Sequence, residues 1–103
     1  MKLIQTLEDL ILEEIHDQKH YAIMAAELKE SHPMLAQVLY NISTQEEGHA
    51  IALHNEVVKI IEQHRKEHGE PPAAMMAVYD YLHKKHIEKA AEARRFQEVY
   101  KSS

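Results

Sequence analysis

There is no cysteine in the chain, which removes disulfides, thiolate metal sites and thiol nucleophiles from consideration. Glycine occurs only twice and proline three times, a scarcity that suits long uninterrupted helices. Excess positive charge is missing as well. Twelve Lys and Arg stand against 17 Asp and Glu, a formal charge of -5, so the clustered cations that hold phosphates are lacking and no nucleic-acid partner is expected. Nor is there a long hydrophobic run: "MKLIQTLEDLILEEI" at the N-terminus is amphipathic and acidic, unlike the apolar stretch of a secretory signal. No membrane partner is expected, and the default location is cytoplasmic.

What the chain does have is 103 residues, 45% apolar and 28% charged, the size and balance of a single domain over residues 1–103 with one core. It also has nine histidines. Spread over every face, most read as solvated surface groups. Only those that interrupt an apolar stripe need a further account.

The few helix breakers divide the chain cleanly. "SHP" at Ser31–Pro33 ends one helix and starts another, because proline is tolerated at the first helical position but not inside. "HGEPP" at His68–Pro72 does the same, with Gly69 able to take the left-handed conformation past a helix end. Helices are therefore expected near residues 3–31, 33–68 and 72–101, with no alternating strand pattern. The fold class is all-α. Short turns between long helices imply an antiparallel, up-down bundle.

The stripes carry the functional signal. In the first helix the heptad-like series runs Leu7, Ile11, Glu14, Gln18, Tyr21, Ala25, Leu28. In the second it runs Leu35, Leu39, Ile42, Glu46, His49, Leu53, Val57, Ile60. Both are apolar at the ends and polar in the middle. Counted from His32 as the turn, Glu14 lies 18 residues back, and Glu46 and His49 lie 14 and 17 forward. At about 1.5 Å per residue that is roughly 27 Å against roughly 21 to 26 Å, so the interruptions face each other at nearly one height.

Buried carboxylates must be neutralised, and neither middle stripe holds a Lys or Arg. A metal ion is the other solution. Residues at i and i+3 project side by side on a helix, so Glu46 and His49 can offer oxygen and nitrogen to one ion. Carboxylates with imidazole suit iron or manganese rather than the thiolate sites of structural zinc.

At these residues the chain resembles a known family. "EEIHDQKHY" and "EEGHA" are similar to the first two helices of the ferritin-like superfamily, its rubrerythrin and encapsulated-ferritin branches in particular. There a ligand glutamate sits seven residues before a tyrosine, matched by Glu14 and Tyr21, and the second helix carries Glu-x-x-His, matched by Glu46 and His49. The resemblance covers roughly residues 5–65. It implies a di-iron centre, with manganese as the alternative. It also implies oxidation of Fe(II) by dioxygen or peroxide for iron storage or peroxide removal, with Glu14, Glu46 and His49 as ligands and Tyr21 beside them.

The departure from the family pattern is informative. A full ferritin-like subunit has two such helix pairs, whereas here Pro72, Ala74 and Ala93 stand seven residues before Tyr79, Tyr81 and Tyr100. One chain holds half a site. A two-fold dimer would complete a four-helix di-metal core, because an isologous interface repeats every ligand. Encapsulated ferritins resemble this arrangement, which makes a homodimer, a larger ring of dimers and an encapsulin-type shell the expected partners, although "FQEVYKSS" at the C-terminus shows no clear encapsulation tag.

Other readings stand beside this one. Glu46 and His49 are a surface pair if the stripe lies one residue over, and Glu13 is the alternative inward residue to Glu14. Tyr21 is equally a packed tyrosine with a hydrogen-bonding tip. Asp17-x-x-His20 and Asp80-x-x-His83 match the same spacing off the stripes and read as solvated. His16 with His20, and His64 with His68, are surface pairs able to catch a stray ion. His86 falls in the third helix's own stripe, at the height of His54. A satisfied buried histidine is the plainer reading there, and a secondary site the sharper one. Met24, Met34, Met75 and Met76 read as core and turn packing. In function, a non-catalytic helical assembly module is the main alternative. A hemerythrin-like oxygen carrier is the other, although its His-x-x-x-Glu spacing does not occur.

Overall fold

The computed structural model describes residues 2–102 and contains three helices: α1 (Lys2–Leu28), α2 (Pro33–His68) and α3 (Ala73–Ser102). No strand occurs among the described residues, and no helix there is long and apolar enough to cross a membrane.

The turns are built as their residues require. Pro33 sits in the first turn of α2 and pushes His32 out of helical conformation, to φ −140°. That is why α1 ends at Leu28 and not at the expected residue 31, with the His32 N–H closing on the Leu28 carbonyl at 2.8 Å. At the far end Gly69, at φ 80°, donates its N–H to the Arg65 carbonyl at 3.0 Å. Arg65, Lys66 and His68 oppose the negative end of the α2 dipole. Pro72 then offers its carbonyl to the N–H groups of Met75 and Met76, starting α3.

The helices form an elongated bundle, 56 × 19 × 18 Å, in which α1 packs along both α2 and α3. One core cluster joins Ile4, Ile11 and Ile15 of α1 to Ala50, Val57 and Ile61 of α2 and Ala93 of α3. The other joins Ala25 to Ala36, Leu39 and Tyr100. The start of α1 thus lies against the end of α2, and the end of α1 against its start. Fully buried Ala22, Ala25 and Ala36 let the α1 and α2 backbones approach closely.

By contrast, α2 and α3 meet mainly through long side chains. Tyr40 stacks on Tyr100 at 4.8 Å, His54 on His83 at 4.9 Å, and Arg94 pairs with Glu47 at 3.6 Å.

Packing against two neighbours shifts the buried face of α1 to one side of the expected stripe, of which Ile11, Gln18 and Ala25 are buried. The buried residues of α1 are Ile4, Glu8, Ile11, Ile15, Gln18, Ala22 and Ala25. Leu7, Glu14 and Tyr21 are only partly buried, and Leu35 at the start of α2 is exposed. Met34 is 85% exposed, so its expected packing role is not met within the chain. His83 is also corrected: it is half-buried between the rings of His54 and Tyr79, not solvated.

Candidate metal centre

Glu14 comes from the middle of α1, Glu46 and His49 from one face of α2. Their register is set by a buried hydroxyl one turn away. Ser43, three residues before Glu46, donates its Oγ hydrogen to the Gln18 carbonyl at 2.7 Å, and Gln18 lies one turn beyond Glu14. Gln97 of α3 donates to the same Ser43 oxygen at 3.0 Å, so all three helices fix this level of the bundle.

The three side chains converge as their sequence positions predict. His49 Nδ1 lies 3.4 Å from Glu14 Oε2 and 3.8 Å from Glu46 Oε1. One donor atom from each residue falls within 4.8 Å of the others. The Glu14 and Glu46 carboxyls lie close enough that a proton on Glu46 can be held toward Glu14. Hydrogen bonding toward Glu14 is the main reason that the Glu46 carboxyl is pushed up to about 7. Burial and the charges of Glu14 and Asp17 add to the shift, and His49 opposes it.

The cluster is not enclosed by its own chain. The side chains of Glu46, Glu14 and His49 are 18%, 27% and 60% exposed, so the site opens along one side of the α1–α2 pair. The expectation that all three sit in a buried stripe therefore fails within one chain, most clearly for His49. Tyr21 packs beside the second core cluster with its ring edge-on to His20 at 6.2 Å. The alternative pairs are apart from this group: His16 and His20 are exposed, and His64 and His68 lie 5.2 Å apart near the end of α2.

The donor set fits a hard or borderline divalent cation. Two carboxylates near enough to share a proton repel once both ionise, and a cation in the proton's place removes that repulsion while taking the imidazole as third donor.

A pH dependence follows. A carboxyl raised from 4.5 to about 7 binds its proton more tightly folded than unfolded, so the metal-free fold loses stability as pH rises through that interval. Glu46→Gln keeps a donor toward Glu14 and removes the titration. In chelator-treated protein its stability relative to wild type should rise by about 1–3 kcal/mol between pH 5 and pH 8, measured by urea denaturation. A pH-independent difference would show that the two carboxyls do not share a proton.

A second polar group went unanticipated in part. Glu8 is 2% exposed, and its Oε2 lies 2.9 Å from Nδ1 of His86, which is 7% exposed. The alignment is poor for a hydrogen bond despite the short distance, and neither Glu8 oxygen has another partner. Burial drives both toward neutrality, raising Glu8 and lowering His86. His86 was expected to be buried. Glu8 was legible too, since Ile4, Glu8, Ile11 and Ile15 follow one helical stripe.

No protein-family model, curated protein or solved structure matches this chain.

Proposed function

We propose that the chain is a ferritin-like di-metal protein, an antiparallel half-bundle whose Glu14, Glu46 and His49 meet the same residues of a second copy to form one centre for two iron ions. The observation that carries this reading is the convergence of two acidic oxygens and one imidazole nitrogen from two helices within 4.8 Å. Its open side supports the shared site, because a group complete within one chain would have no reason to leave His49 60% exposed. Leu10, one turn before Glu14 on α1, is 40% exposed and gives a second copy an apolar residue to cover near the group.

The chemistry assigned is oxidation of Fe(II) as substrate, with dioxygen or hydrogen peroxide taking the electrons. Iron, or manganese in its place, supplies when bound the redox capacity that the side chains lack. Glu14 and Glu46 neutralise the cations, and Glu46 gives up its proton as they bind. His49 offers a neutral nitrogen. The second copy excludes bulk water from the shared interior and brings the repeated ligands.

The test is an anaerobic Fe(II) titration of chelator-treated protein, with mass measured alongside. About one ion per chain should bind, with metal-dependent strengthening of a dimer or a ring of dimers. Binding without any effect on association would overturn the shared site.

A second reading, a non-catalytic helical assembly module, is favoured by the exposed Met34, Val78, Tyr81 and Ile87, which lie away from the cluster. A metal-free oligomer indifferent to Fe(II) would select it. Residence in an encapsulin-type shell would extend the first reading, the shell confining the oxidised iron.

A further inference from the structure

We propose that His54, His83 and His86 form a second cation site, independent of the carboxylate centre, that takes a divalent transition metal of the zinc, nickel or copper kind and ties α3 to α2.

The three imidazoles line one groove between α2 and α3, about 250 Å³ in volume, with an apolar floor that includes Ile11 and Ile15. His83 and His86 are three residues apart on α3 and so project side by side. His54 faces them from α2, its ring 4.9 Å from that of His83. Behind His86 stands the buried Glu8 carboxylate, 2.9 Å from Nδ1. The contact is not a hydrogen bond as it stands; a cation on the other ring nitrogen would favour ionised Glu8 and draw Nδ1–H onto it, the arrangement that orients a ligating histidine.

The electrostatics agree with the geometry. Burial, together with the neighbouring imidazoles, lowers His54 and His86 below the ordinary histidine range, which keeps them neutral and able to ligate at neutral pH. The acid-base groups facing them are Glu8 and Asp9 of α1 and the Glu47–Arg94 pair at one end of the groove, which is paired with itself at 3.6 Å. Gln18 also lines the groove, 1% exposed, and its Nε2 has no hydrogen-bond partner. That amide can donate to a water or anion at the position the imidazoles leave open.

Imidazole-rich donors discriminate from the carboxylate cluster by chemistry, favouring zinc, nickel and copper over iron and manganese. The three imidazoles do not at present bring one nitrogen each within 4.8 Å of the others, so binding requires His54 and His83 to turn from face-to-face, now 13° from parallel, to edge-on and their nitrogens to close on that of His86. This is a side-chain rotation. Since α2 and α3 otherwise meet mainly through long side chains, an ion held by both helices would act as a clamp.

The experiment uses the Glu46→Ala/His49→Ala protein, which lacks the first centre. Titration with Co(II), followed by visible absorption, should show one ion per chain with the strong bands of a low-coordinate nitrogen site, and Zn(II) should raise the unfolding midpoint. Adding His54→Gln or His83→Gln should weaken binding at least about ten-fold, whereas His64→Gln/His68→Gln on the surface should leave it unchanged. Imidazole ¹⁵N shifts on Zn(II) addition need no further substitution, and the changes should fall on His54, His83 and His86. Absence of binding, undiminished binding without His54 or His83, or shift changes confined to other histidines would each overturn the proposal.

Discussion

Replacing Glu46 or His49 by alanine is expected to abolish Fe(II) oxidation, lowering the rate under dioxygen or peroxide by at least about a hundred-fold. Each chain contributes only three donors, and a two-fold site loses two ligands with every substitution, so no spare group remains to hold the ion. Loss of fold would not explain the result. Glu46→Ala removes a carboxyl that Glu14 and burial push up to about 7, which relieves the metal-free protein at pH 8 and leaves no buried charge unpaired. His49 is 60% exposed, so its truncation leaves no cavity. Both variants should therefore match wild type in helix content and, at pH 8 without metal, equal or exceed it in stability. Stopped-flow oxidation with circular dichroism separates the two effects. Wild-type oxidation rates in both variants would remove these residues from the chemistry.

The largest expected loss of stability lies elsewhere, at Glu8 and His86. His86→Ala deletes a ring that is 7% exposed and leaves Glu8, 2% exposed, without the one imidazole beside its oxygens, neither of which has a hydrogen-bond partner. The cavity and the stranded acid together should cost about 3–5 kcal/mol, even with the acid protonated. Glu8→Leu removes the acid and lets the site become apolar. Combined with His86→Leu it should recover most of that loss, since replacing both members of a buried polar pair is often neutral or favourable. Thermal and urea unfolding of wild type, Glu8→Leu, His86→Leu and Glu8→Leu/His86→Leu forms the double-mutant cycle, with His86→Ala measured beside it. Additive effects would show that Glu8 and His86 do not interact across the α1–α3 interface.

These two sites differ in how visible they are in the sequence. Glu14, Glu46 and His49 stand out because a heptad-like series passes through them, and their heights can be counted from one proline-marked turn. The three helices and both turns follow from Pro33, Gly69, Pro71 and Pro72, since a scarce breaker leaves little choice of boundary. The first boundary still missed by three residues: the restriction that Pro33 places on His32 ends α1 early.

Burial was harder to read. A helix packed between two others has two apolar stripes, and a heptad count follows only one. The series through Leu7 and Glu14 therefore reads as core, although the buried face of α1 keeps only its Ile11, Gln18 and Ala25 and adds Ile4, Glu8, Ile15 and Ala22. His83 reads as solvated for a separate reason: its neighbour His54 lies on another helix 29 positions away, and no local spacing reveals a ring stack. On the proposed shared site, the exposure of His49 has a different cause. A residue completed by a second copy looks like core in sequence and like surface in one chain, and periodicity cannot tell these apart.

The central claim is that two copies of this chain enclose metal between their Glu14, Glu46 and His49 side chains. Crystals of Fe(II)-loaded protein, measured for anomalous scattering at the iron edge, test it most directly. The account predicts two anomalous peaks on a two-fold axis relating two chains, each within bonding distance of Glu46 and His49, with Glu14 reaching the pair. Iron bound only at surface histidines, or the three residues facing bulk solvent with no second copy opposite, would contradict it.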